Sequence, residues 1–139
     1  MVTLAEAWQL SRADSGLAVV STLRADQTIQ ASLVNTGIVG DRLAFVTYGR
    51  VKLNNLRRRP QVTVTFRSGW QWATVEGTAE LAGPDDPRPG LDAEGLRLLL
   101  REIFSAAGGT HDDWSEYDRV MREQRRTAVL ITPERVYGN

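Results

Sequence analysis

The chain has 139 residues, of which 42% are hydrophobic and 24% charged, and its 17 basic and 17 acidic residues give a formal net charge of zero. That length suits a single domain with a sizeable core, and charge balance removes the long-range attraction that draws proteins to nucleic acid or acidic lipid. With no cysteine and only His111 as histidine, disulfides, thiolate nucleophiles and thiolate metal sites are excluded and His111 cannot make a metal cluster by itself, and no apolar run nears the ~20 residues of a membrane helix; a cytoplasmic protein with no metal, nucleic-acid or membrane partner is expected.

Thr3 and Glu6 have capping-box spacing and open a short helix to about Arg12. Gly16 then releases the chain into the β-branched run 17–23, which ends in a turn at Arg24-Ala25-Asp26-Gln27. The next strand alternates: Ile29, Ala31 and Leu33 face one way, Gln30, Ser32, Val34 and Thr36 the other. Gly40-Asp41 turns the chain into a strand over 43–48. Residues 50–59 predict a helix stopped by Pro60, with Lys52, Asn55 and Arg59 on one face beside an apolar stripe of Leu53 and Leu56. Arg57-Arg58-Arg59 then reads as a solvated helix end rather than a nucleic-acid patch. Two strands follow around Ser68-Gly69, the first with Val62, Val64 and Phe66 inward, the second with Ala73, Val75, Ala79 and Leu81.

Trp70, Trp72, Thr74 and Glu76 fall on the opposite face of that second strand. Paired tryptophans there need a cover, which is either another layer of the fold or a subunit interface and aromatic wall for a flat ligand. Residues 83–90 have no helix or strand pattern. A helix carrying Leu96, Leu99, Leu100 and Ile103 ends at Gly108-Gly109. Asp113 and Glu116 cap another, with Trp114, Tyr117, Val120 and Met121 inward and Arg119, Arg122 and Arg126 outward. A last strand at 128–132 precedes Pro133 and a tail. Six short strands in meander order with attached helices predict a mainly β (α+β) protein built on a closed antiparallel barrel. So small a barrel is filled by its own side chains, so a ligand binds outside it or between subunits.

Dinucleotide and phosphate-loop glycine fingerprints and the Gly-x-Ser-x-Gly elbow are missing. His111 sits at a helix start and reads as a cap or surface group, and no carboxylate pair is placed for acid–base work, so no catalytic side chain is assigned. The informative segment is Phe45-Val46-Thr47-Tyr48-Gly49-Arg50-Val51-Lys52-Leu53-Asn54-Asn55-Leu56, which contains the only lysine. A strand ends in the Thr47 hydroxyl, Gly49 lets the chain turn, and Arg50 and Lys52 open a helix. Cations at a helix N-terminus oppose its dipole unless an anion offsets them, so this corner reads as a phosphate cradle with Asn55 one turn along.

On these residues the chain resembles the pyridoxamine-phosphate-oxidase-like split-barrel superfamily of flavin and deazaflavin oxidoreductases, and within it the actinobacterial branch that uses coenzyme F420. The resemblance is carried by Ile29-Gln30-Ala31-Ser32-Leu33-Val34, Arg50-x-Lys52-x-x-Asn55-Leu56-Arg57-Arg58-x-Pro60, Gly69-Trp70, Val75-Glu76-Gly77-Thr78-Ala79-Glu80-Leu81, Asp113-Trp114-x-x-Tyr117 and Val136-Tyr137-Gly138. Ile29 stands where the family often has proline. The resemblance implies a six-stranded, Greek-key-like split barrel that pairs as a homodimer with the cofactor in a groove at the interface. It implies that Gly49, Arg50, Lys52 and Asn55 hold the cofactor phosphate and tail beside Thr47. Gln30, Ser32, Val34 and Asn35 would lie along the ring system, partly through backbone groups, and Trp70 and Trp72 would line the groove. The Arg119, Arg122, Arg126 stripe would meet the acidic tail of the deazaflavin. The implied activity is hydride transfer between reduced deazaflavin and a small conjugated acceptor. An FMN-binding oxidoreductase and a non-catalytic F420-binding or storage protein are the alternatives.

Overall fold

The structure is a computed structural model that describes residues 2–139. Six strands, β1 (Leu17–Leu23), β2 (Ile29–Val39), β3 (Arg42–Thr47), β4 (Gln61–Ser68), β5 (Gln71–Ala82) and β6 (Thr127–Gly138), close into a barrel in the order β1-β2-β3-β6-β5-β4. The helices are α1 (Leu4–Gln9), α2 (Arg50–Arg58), α3 (Ala93–Ala106) and α4 (Trp114–Glu123). All six pairings are antiparallel. The order is not the simple meander of the strand pattern. After β3 the chain crosses through α2, and β4 returns beside β1, which is the Greek-key arrangement. No helix among the described residues is long and apolar enough to cross a membrane.

Alternation along each strand fills the barrel with Val20, Val34, Leu43, Phe45, Val62, Val64, Phe66, Val75, Val129 and Ile131. A second cluster lies outside it, where Leu100 and Ile103 of α3 and Tyr117 of α4 cover Ala44, Ala128 and Leu130. β3 and the first half of β6 are therefore buried on both faces, which is why 128–131 reads as an unbroken apolar run instead of alternating. α1 packs where the capping box starts it, with Thr3 and Glu6 exchanging side-chain and backbone bonds. Its Trp8 Nε1 donates to Thr36 O at 3.0 Å. Gly16, at φ +65°, lies against that same carbonyl and indole, where a Cβ would collide.

Several boundaries differ from the sequence expectation. α1 stops at Gln9, and a separate 3-10 turn spans Arg12–Asp14. β2 runs on to Val39. β6 does not stop at Pro133 but continues to Gly138, pairing with β5 as far as Ala73. Proline is admitted because the register slips between Glu76 and Gly77, leaving Pro133 opposite Gly77, whose missing Cβ makes room for the Thr132 carbonyl. Trp70 is in the β4–β5 turn rather than on the strand, and Thr74 of the supposed outer face is buried beneath neighbours. Arg126 lies beyond the end of α4.

Candidate functional site

β2 and β3 are hydrogen-bonded only from Thr36 to Val39 and from Arg42 to Phe45. Along 29–35, β2 is paired with β1 alone, so its other backbone edge has no strand partner among the described residues. α2 starts at this split. Thr47 ends β3 with its Oγ1 accepting from Gly49 N at 3.1 Å, and Gly49, in extended geometry, is the N-cap without any side-chain cap bond. A Cβ on Gly49 would lie 3.4 Å from both Lys52 Nζ and Thr47 Oγ1, so ammonium and hydroxyl converge on the helix start. Arg50 is exposed on the same turn.

Lys52 is only 7% exposed, and it makes no hydrogen bond or ion pair among the described residues. Burial without a carboxylate beside it pushes the ammonium below the ordinary lysine range. Asn55, also buried, donates from Nδ2 to Thr22 Oγ1 at 3.0 Å, and Thr22 Oγ1 donates to Gln30 Oε1 at 3.2 Å. This relay ties α2 to β1 and β2. It shows that Asn55 and Gln30 face into one polar end of the barrel, although part of the Asn55 amide is spent inside the protein. Thr22 is the member that sequence reasoning missed; its signal was its inward parity after Ala18 and Val20. Ser32 shares the inward face of β2 with Gln30, and its Oγ is buried with no partner, the only such side-chain atom among the described residues.

These observations test whether the residues fit a phosphate-bearing flavin-type cofactor. The unpaired ammonium of a largely buried lysine, free helix-start N–H groups, an orphaned buried hydroxyl and an open backbone edge are polar groups without protein partners among the described residues. They fit an anionic, hydrogen-bonding ligand. The fit does not extend to every expected residue. Val34 is packed in the barrel interior and offers a ligand at most its backbone. Asn35 points outward, with Nδ2 donating to Ser15 O at 3.3 Å.

Trp70 is 94% exposed, and Trp72 sets its ring edge-on to Tyr137 at 6.2 Å. Both lie at the far end of β5 from α2, because Pro60, just after α2, accepts from Ala79 N. Seven strand residues at about 3.3 Å each separate Trp72 from that point by roughly 23 Å. Within one chain the tryptophans do not wall the α2 corner.

The arginine stripe is also divided. Arg119 is held by Glu116 and Glu123, while Arg126 stacks on Tyr48 with Cζ 4.1 Å from the ring centroid. Arg57 and Arg58 are exposed in the last turn of α2, as expected of a solvated helix end, and the Arg57 guanidinium also grips Asp86 through two 2.8 Å bonds. His111 does cap: its Nδ1 accepts from Asp113 N at 3.0 Å. No group of three or more potential metal ligands occurs among the described residues.

The outer face of the sheet carries exposed apolar side chains, Leu33, Val19 and Ile29, beside polar ones. The registers line up Leu33, Val19, Thr65, Thr74 and Tyr137 across five strands, with Leu33 63% exposed. An open groove of about 460 Å³ crosses the same face between Ile29, Ser21, Thr63, Glu76 and Arg135.

Among solved structures, a conserved hypothetical protein from Mycobacterium tuberculosis superposes with TM-score 0.73 at 17% identity, over 99% of this chain and 84% of that one. An F420 reductase superposes with TM-score 0.62 at 17% identity, over 87% and 88%. A pyridoxamine 5'-phosphate oxidase-related, FMN-binding protein from Nostoc punctiforme gives 0.66 at 14% identity, over 97% and 81%. At such identities these likenesses speak to the barrel. The family model described as pyridoxamine 5'-phosphate oxidase matches residues 4–139, nearly the whole chain, and on that match the protein belongs to this family.

Proposed function

We propose that the protein is a coenzyme F420-dependent oxidoreductase that moves hydride between the reduced deazaflavin and a small conjugated acceptor, working as a homodimer. The observation that carries the reading is Lys52, buried and without an anion at the start of α2. When bound, the reduced deazaflavin supplies the hydride. The chain's own part is to hold and shield. Arg50, Lys52 and the free N–H groups of the first α2 turn take the phosphate, with the Thr47 hydroxyl beside them. Ser32 Oγ and the unpaired edge of β2 offer bonds to polar atoms of the ring system. Asn55 and Gln30, linked through Thr22, fix the geometry of that corner.

A second copy completes this site. The tryptophans reach an α2 corner only from a partner, and the apolar row through Leu33, Val19 and Tyr137 is the surface such a partner would cover. A stable pair needs about 800 Å² from each chain.

Fluorescence titration of the purified protein with the deazaflavin and FMN side by side tests the cofactor. Tighter binding of the deazaflavin is expected. A yellow protein that retains FMN through gel filtration overturns the choice in favour of FMN, for which the FMN-binding neighbour is a precedent in fold. Oxidation of the reduced coenzyme with a panel of enones and quinones is expected with at least one acceptor; none with any member makes the protein a binder instead.

A further inference from the structure

Most of the arginines on the helical side of the molecule meet a carboxylate. Arg97 and Arg101 meet Asp118, Arg119 meets Glu116 and Glu123, and Arg125 meets Asp85. Arg126 does not. It is half-buried, its Nε donates to the neutral Gln124 Oε1 at 2.8 Å, and neither terminal nitrogen has a hydrogen-bond or ion-pair partner among the described residues. The ring of Tyr48 supports one face of the guanidinium, while burial works against its charge. A half-buried guanidinium whose terminal donors meet no protein group among the described residues is open to a ligand on its accessible side.

What lies beside it is a cavity of about 350 Å³, with apolar walls from Val46, Ile103, Phe104 and Met121 and with Asn35 and Tyr117 at its polar points. The Tyr117 hydroxyl is spent on Leu100 O at 2.9 Å, so it brings no free donor. The Asn35 amide nitrogen gives one of its two hydrogens to Ser15 O. Among the described residues Arg126 is thus the one charged group lining this space, opposite its apolar walls. We propose that this cavity binds small, flat, apolar monocarboxylates, with the Arg126 guanidinium taking the carboxylate in two-pronged fashion.

Charge and size set the class. One guanidinium neutralises one charge, so a doubly charged phosphate in the same apolar setting would stay half uncompensated. An apolar cavity of ~150 Å³ holds benzene, so this larger one suits a fused two-ring body. A flexible oligoglutamate tail has the carboxylates but not the apolar body. Because Arg126 rests on Tyr48, one residue before Gly49, the charged end of the cavity adjoins the start of α2. The proposal does not depend on what binds α2.

Isothermal titration of the protein alone with 2-naphthoate and with the neutral 2-naphthamide tests it. Naphthoate is expected to bind at least tenfold more tightly, and Arg126→Gln is expected to erase that preference, with circular dichroism confirming that the variant is folded. Met121→Trp, which fills the cavity and leaves Arg126 in place, is expected to abolish binding of both. A tri-γ-glutamate peptide is expected not to displace naphthoate. Equal affinity for the two probes, a preference that survives Arg126→Gln, no binding at millimolar concentration, or displacement by the peptide each overturns the proposal. None of these readouts involves the deazaflavin or FMN, so success or failure here is separate from that of the cofactor reading.

Discussion

Lys52 carries a conflict between stability and binding. Its side chain is largely buried, its ammonium meets no carboxylate among the described residues, and desolvation lowers its pKa. For a base depressed on folding, the penalty is fully present while the group is protonated and disappears only as pH rises past the ordinary lysine value, so at neutral pH the free protein bears the cost. Lys52→Met should therefore raise the melting temperature of the ligand-free protein slightly. It should weaken cofactor binding by about 1.5–3 kcal/mol, the range for a hydrogen bond to a charged group. Thermal melts and fluorescence titration of the same preparation check both signs; a variant that binds the cofactor normally removes Lys52 from the site. Arg50 is exposed, has no side-chain bond to lose among the described residues, and is expected to affect binding without a comparable change in stability.

α3 and α4 are joined by a polar clasp over their shared apolar seam. Asp118 of α4 takes Arg97 and Arg101 of α3, with Arg101 Nε at 2.9 Å and Arg97 Nη1 at 3.0 Å. Beneath it the Tyr117 hydroxyl donates to the Leu100 carbonyl. The hydrogen bond from Arg101 is the main reason that the Asp118 carboxyl sits below the usual range. A carboxylate depressed on folding contributes stability above its unfolded pKa, about 3.9, and loses it as pH falls through the folded value. Asp118→Asn should cost about 1 kcal/mol at pH 7, a modest figure because both guanidiniums remain partly in water. The deficit should shrink as pH falls through the folded value, where the native carboxylate protonates as well. Urea melts at pH 7 and pH 3 check this, and a deficit independent of pH would mean that the clasp is not electrostatic. Since α3 and α4 also form the walls around Arg126, the same variant is expected to loosen that cavity.

Among the described residues the barrel leaves one sheet face uncovered, and this is the face that the proposed pairing would bury. Leu33→Arg, on a side chain 63% exposed in the single chain, should leave the monomer folded and shift the protein from dimer to monomer in sedimentation velocity. If the native protein already sediments as a monomer, the paired site falls with it. Much of this architecture was readable from the chain. The Thr3–Glu6 capping box, the alternation of 62–66 and the Arg50–Asn55 block are local patterns, because a helix cap, a strand face and a helix turn are each set by residues within a few positions of one another. The whole-chain family match agrees with the resemblance that this block carried. Other features are set by residues far apart. β4 lies beside β1 and not next to β3 because α2 carries the chain across the barrel end. Pro133 stays within β6 because Gly77, 56 positions earlier, yields to it at the bulge. Val34 looked like its neighbours Gln30 and Ser32, but the barrel closes over it, whereas the split leaves them at the polar end. Periodicity assigns a side chain to a face; whether that face meets core, helix, solvent or a second chain depends on which elements arrive there, and that is settled only when the sheet closes.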